Sequence, residues 1–150
     1  MSGTRGYFGI GIENCKTKAN IGTLWRSAYC MGASFIFVVG ERYKHQAGDT
    51  VKAYKHIPLY HYNDFDQFYQ NLPADCLLIG VELDQRSEPL TGFEHPERAI
   101  YLLGAEDHGL SETALNHCAK LIQFDSKYCL NVSVAGSIVM YDRQLKSLKS

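Results

Sequence analysis

The chain has 150 residues, enough for one domain with a sizeable core and too few for two comfortable ones. No apolar run approaches the roughly 20 residues of a membrane-spanning helix, and the opening MSGTRGYF lacks the apolar stretch of a secretory signal, so a cytoplasmic protein is expected. The net charge of −1 conceals an asymmetry: residues 1–61 hold eight Lys and Arg against three acids, the remainder seven against thirteen, which points to a polyanion-facing surface on the first part.

In chain order, residues 7–12 read as a buried strand. Its glycines begin like a dinucleotide fingerprint, but Asn14 stands where the third glycine belongs and the glycines lie inside the strand, so no nicotinamide site is expected. Residues 20–31 have helical spacing, with Asn20 as N-cap. Gly22 and Arg26 are four apart and share a helix face, open over Gly22 to a ligand or another backbone. An ordinary capped helix with a solvent-facing arginine fits the same spacing.

A second strand covers residues 35–39. Residues 41–57 are the least regular and suggest a surface loop or short helix. Residues 64–72 read as a helix with Phe65, Phe68 and Leu72 on one face, followed by strands at 77–81 and 100–103. The latter strand runs into LGAEDHGLS, where Gly104 and Gly109 allow a sharp turn and a close approach, and Ser111 or a neighbour caps a helix over 111–119.

After a strand at 121–124 comes YCLNVSVAGS, with Asn131 and Ser133 where the last helix starts; it runs towards Leu148. Backbone N–H groups gathered at the C-terminal end of a strand make a ligand site in open α/β sheets, although Asn131 acting only as a cap fits equally well. The alternation predicts a single α/β domain over residues 1–150 with a mostly parallel sheet. The six histidines include no H-E-x-x-H and the five cysteines no C-x-x-C, so no metal site is expected and the cysteines read mostly as small core residues in a reducing compartment. No G-x-S-x-G nucleophile elbow occurs.

Three stretches belong together. Asn20, Gly22 and Arg26 form N-x-G-x-x-x-R. Gly104, Glu106, Gly109 and Leu110 form G-x-E-x-x-G-L behind a strand, and residues 121–124 are followed by Leu130, Asn131, Val132, Ser133, Val134 and Ala135. In this order and spacing, over roughly residues 7–145, they resemble the three motifs of the SpoU (TrmH-like) group of the SPOUT superfamily, RNA ribose 2′-O-methyltransferases. The serine that precedes Leu-Asn in that family is Cys129 here, and a thiol is the weaker hydrogen-bonding partner.

The resemblance implies a SPOUT-type mostly parallel sheet flanked by helices, a C-terminal deep trefoil knot, and a homodimer with its active sites at the interface. No separate RNA-binding domain is expected, so the dimer itself would hold the RNA. The implied cofactor is S-adenosylmethionine, met mainly by the main chain around Leu83, Gly104, Gly109, Ile122, Cys129 and Leu130. The implied reaction is methylation of a ribose 2′-hydroxyl, with tRNA favoured over rRNA as substrate.

By the same resemblance Arg26 sits at the RNA, Asn20 and Asn131 orient the ribose or Arg26, and Glu106 fixes an arginine or the loop backbone. Lys16, Lys18, Arg26, Arg42, Lys44 and Lys52 are candidates for phosphate contacts. Asp107 and His108 fall on variable motif positions and are expected to face solvent or RNA. Two other readings are a catalytically silent RNA-binding relative, encouraged by Cys129, and a SPOUT enzyme that methylates a base.

Overall fold

The computed structural model describes residues 6–42 and 56–148. Lys44, Lys52 and most of the irregular segment lie outside the described residues. The elements are β1 (Tyr7–Glu13), α1 (Lys18–Cys30), β2 (Phe35–Val39), β3 (Leu59–Tyr62), α2 (Phe65–Gln70), β4 (Leu77–Val81), β5 (Glu88–Pro89), a 3-10 turn (Leu90–Gly92), β6 (Arg98–Leu103), α3 (Glu112–His117), β7 (Lys120–Gln123) and α4 (Val132–Ser147). The strands form one seven-stranded sheet in the order β3-β2-β1-β6-β4-β7-β5, and every described pairing is parallel.

Side chains alternate between the two faces of each strand, so the sheet feeds two cores. One contains Phe8, Ile10, Ile36, Ile79, Tyr101 and Ile122 and is covered by Leu24, Trp25 and Ala28 of α1 and Val139 and Met140 of α4. The other contains Phe35, Phe37, Ile100 and Leu102 and is covered by Phe65 and Phe68 of α2 and Ala114 and Leu115 of α3. The glycines of β1 serve this second core: a Cβ on Gly9 or Gly11 would collide with the rings of Phe35 and Phe37. They make room for aromatic side chains across the sheet and have no part in a phosphate turn.

Three expectations need correction. Helix α1 starts at Lys18 after Thr17, so Asn20 is not its cap; it lies in the first turn, 8% exposed, with its amide committed elsewhere. The edge strands β3 and β5 were not expected from the sequence. Of the cysteines only Cys15 is buried, whereas Cys30 and Cys129 are exposed.

The chain leaves β1 through α1 towards β2 on one side, and leaves β6, its neighbour in the sheet, through α3 towards β7 on the other. The two connections diverge and open a crevice above the C-terminal ends of β1 and β6, the switch point where open α/β sheets bind ligands.

Candidate active site

Three strands run out into this crevice with the same local sequence. Ile10-Gly11-Ile12-Glu13 ends β1, Ile79-Gly80-Val81-Glu82 leaves β4, and Leu103-Gly104-Ala105-Glu106 leaves β6. Each glutamate braces a neighbouring loop. Glu13, 3% exposed, accepts hydrogen bonds from the Ser111 N–H (2.8 Å) and hydroxyl (2.7 Å). Glu82 accepts from the Leu110 N–H at 2.8 Å. Glu106 accepts from the Lys16 and Thr17 N–H groups, both at 3.3 Å, and from the Asn20 amide at 2.6 Å. Charge-assisted bonds to backbone donors are among the stronger ones available, so these carboxylates hold the loops at the strand ends in a defined shape. Sequence reasoning missed Glu13 and Glu82, and the repeated aliphatic-Gly-x-Glu stretch is the signal that reveals them.

Glycines permit the tight geometry between these loops. A Cβ on Gly104 would run into the backbone of Gly109 and Leu110, and Gly109 has φ +68°, a conformation that side chains resist. Ser111 caps α3, accepting from the Ala114 N–H at 3.1 Å.

Glu106, Asn20 and Asn131 form one continuous chain. The Asn20 amide donates to Glu106, and the Asn131 amide donates to the Asn20 oxygen at 3.1 Å. The Asn131 oxygen in turn caps α4, accepting from the Ser133 N–H (2.9 Å), the Val134 N–H (3.2 Å) and the Ser133 hydroxyl (2.6 Å). Residues 86 and 111 positions apart in sequence thus orient one another, and Asn131 caps α4 with its oxygen while its amide reaches Asn20. Burial pushes the Glu106 carboxyl up, but the donors from its own backbone, Lys16, Asn20 and Thr17 outweigh it and hold it below the usual carboxylate range.

Beside this chain lies a cavity of about 300 Å³ between the ends of β4, β6 and β7 and the segment leading to α4. Of the residues expected to meet a cofactor, Leu83, Gly104, Gly109, Cys129 and Leu130 line it. Ile122 does not: it is fully buried in β7 behind the wall, where its carbonyl accepts from the Glu82 N–H at 3.0 Å. Phe124 and Tyr128 add aromatic surface.

The expected RNA-contacting residues are less gathered. The Lys16, Lys18 and Arg26 side chains are exposed along the start and outer face of α1, and Arg26 is not among the residues lining the cavity. Arg42 reaches the rim, bonded through both terminal nitrogens to Asp107 at 3.1 and 3.2 Å, which holds the Asp107 carboxyl below its usual range. His108 is exposed 3.6 Å from Asp107, and among the described residues no group of side chains suits a metal ion. Gly22 has nothing within 4 Å of where its Cβ would lie, so α1 is open there.

Parallel sheet, switch-point crevice and three-motif hydrogen-bond chain define an open α/β domain with a candidate site at the strand C-termini. Residues 8–141 match the model of the SpoU rRNA Methylase family, and the chain belongs to that family. No curated protein matches it in sequence. Among solved structures it resembles the SpoU methyltransferase AviRb from Streptomyces viridochromogenes in complex with AdoMet, with TM-score 0.85 and 18% identity over 99% of this chain. This chain spans 61% of AviRb. A structure described by the 2-OH methylation of C/U34 on tRNA matches at TM-score 0.83 and 18% identity, covering 98% of this chain and 100% of that one. The A. aeolicus TrmH/SpoU tRNA modifying enzyme matches at TM-score 0.80 and 19% identity, covering 95% and 76% respectively.

Proposed function

We propose that the protein is a cytoplasmic, S-adenosylmethionine-dependent RNA methyltransferase that acts on a ribose 2′-hydroxyl of tRNA and works as a homodimer. The observation that carries this reading is the convergence of all three motifs on one crevice: Glu106 bonded to Asn20, Asn20 to Asn131, beside a cavity floored by Gly104 and Gly109. The chain matches the tRNA 2-OH methylation structure over that structure's full length, which favours tRNA over rRNA.

The cavity suits the cofactor. Leu83, Phe124 and Leu130 offer apolar surface to a flat adenine, and glycines at 104 and 109 let main-chain groups come close. When bound, S-adenosylmethionine supplies an electrophilic methyl group on a sulfonium. The protein's task is to align the 2′-oxygen with that methyl carbon, which lowers a displacement barrier by several kcal/mol, and to help the hydroxyl lose its proton. A guanidinium is a poor base, so Arg26 serves by gripping the adjacent phosphate and stabilising developing negative charge on oxygen, while phosphate or water takes the proton. Asn20 and Asn131, already locked together, orient the ribose or Arg26. Glu106 holds the β1–α1 loop in place, and the exposed Lys16, Lys18 and Arg42, together with Lys44 and Lys52, supply phosphate contacts.

Two features support the dimer and the knot. Val134, Ile138, Tyr141 and Leu145 of α4 are spaced at intervals of four, three and four and all are exposed, an apolar stripe bordered by Thr23 of α1 and Met31 just after that helix. Arg26 lies one turn from Thr23, so a second subunit seated on this stripe brings Arg26 to the interface. For the knot, the chain leaves β4, passes outside the position of β7 to form β5, and returns to β6 on the far side of β4. Strand β7 then enters between β4 and β5, and Lys146 of α4 donates to the carbonyls of Leu90 and Phe93 in that excursion.

Incubation with methyl-labelled cofactor and unmodified tRNA should transfer label, and Arg26→Ala should abolish transfer while leaving cofactor affinity nearly unchanged. Cofactor binding with no label in tRNA or rRNA would instead mark a catalytically silent relative.

A further inference from the structure

Among the described residues three carboxylates line the cavity, and no lysine or arginine does. Two of the three are matched: Glu106 by its backbone and amide donors, Asp107 by the Arg42 guanidinium. Glu82 differs. Its donors are the N–H groups of Leu110 and Leu83, and among the described residues no basic side chain pairs with it. A Cβ on Gly109 would stand 2.8 and 2.9 Å from its two oxygens, so the carboxylate lies flat against the glycine that shapes the cavity floor. Burial, with the neighbouring Asp84 carboxylate, pushes its carboxyl up, and no cation among the described residues offsets this. A glutamine would accept the same Leu110 N–H without the desolvation of a charge, so bracing the loop does not require the negative charge.

We infer that Glu82 is the counter-charge in the cofactor cavity, pairing with a cationic group of the methionyl arm of S-adenosylmethionine, either its sulfonium or its ammonium. The inference rests on the cofactor reading above. If the sulfonium is the partner, methyl transfer removes the attraction: the methyl–sulfur bond breaks with its electron pair left on sulfur, the methyl bonds to the 2′-oxygen, the proton leaves to phosphate or water, and the product is a neutral thioether. Glu82 would then favour substrate cofactor over product.

Calorimetric titration of the apo protein with S-adenosylmethionine and S-adenosylhomocysteine tests this without reference to turnover. Glu82→Gln should weaken S-adenosylmethionine binding by about tenfold, equivalent to about 1.4 kcal/mol, with the fold intact by circular dichroism. Loss confined to S-adenosylmethionine identifies the sulfonium as partner; equal loss for both ligands identifies the ammonium. Wild-type affinity for S-adenosylmethionine in a folded Glu82→Gln variant overturns the inference. A second measurement needs no variant: the wild type should prefer S-adenosylmethionine over the neutral 5′-methylthioadenosine, and equal affinities would also overturn it. If the wild type binds neither cofactor form, the cofactor reading itself has failed.

Discussion

At the scale of single residues, the site depends on polar side chains that serve each other before they serve any ligand. Asn20 is buried in the first turn of α1 because Glu106 needs a donor and Asn131 needs an acceptor at one point. Asn20→Ala removes both bonds and leaves part of a carboxylate unsatisfied. It should lower unfolding free energy by about 1–3 kcal/mol, measured by urea denaturation, and unchanged stability would show that the chain of bonds is incidental.

A second polar cluster acts away from the cavity. His95, with 5% of its side chain exposed, bonds Tyr101 of β6 through Nδ1 and Asp142 of α4 through Nε2, both at 2.7 Å. Lys146 and Arg143 of α4 crowd the same spot, Lys146 bonding Asp142 and Arg143 bonding the Tyr101 hydroxyl. Burial lowers the His95 pKa despite the pull of Asp142, so the folded state resists a proton that the unfolded chain accepts. Stability from this group is therefore complete above the usual histidine value and is lost as pH falls below it. The thermal midpoint should drop from pH 7 to pH 5, and His95→Gln should flatten that drop; a parallel drop in both proteins would assign it to other groups.

Among the secondary-structure elements, the strands at 35–39 and 77–81 and the helix over Phe65 and Phe68 were readable because long apolar or periodic runs leave few alternatives. Strand β5 has two residues and carries no period at all, while β3, Leu59–Tyr62, has no buried residue and no alternation at its half-exposed edge, too weak a pattern to register. The start of α1 was misread because Asn20 has the chemistry of a cap, and its partners lie 86 and 111 residues away, beyond any local signal. Glu13 and Glu82 escaped for the same reason: an acid after an apolar strand reads as a solvent-facing end until a distant loop brings it backbone donors. Helix α4 carries its own prediction. With Val134, Ile138, Tyr141 and Leu145 exposed on one stripe, Ile138→Arg should convert a dimer into a folded monomer by sedimentation. A wild-type protein that is already monomeric would remove this interface.

For the whole molecule, the parallel order of the sheet decides where chemistry is possible. Diverging connections from β1 and β6 open the crevice, and the excursion from β4 through β5 to β6 brings the loop after β7 against the loops after β4 and β6, so that residues of the second and third motifs share one cavity, with Asn20 of the first hydrogen-bonded to both motifs beside it. The parallel sheet was legible in the alternation of strand and helix, whereas the strand order and the meeting of these loops are not local in sequence and leave no trace in that alternation. The most direct test of the proposed activity is nucleoside analysis of unmodified tRNA after incubation with the protein and S-adenosylmethionine. A single nucleotide carrying a 2′-O-methyl group, with its 3′ phosphodiester resistant to alkali, is the predicted result, and a methylated base with a free 2′-hydroxyl would contradict it.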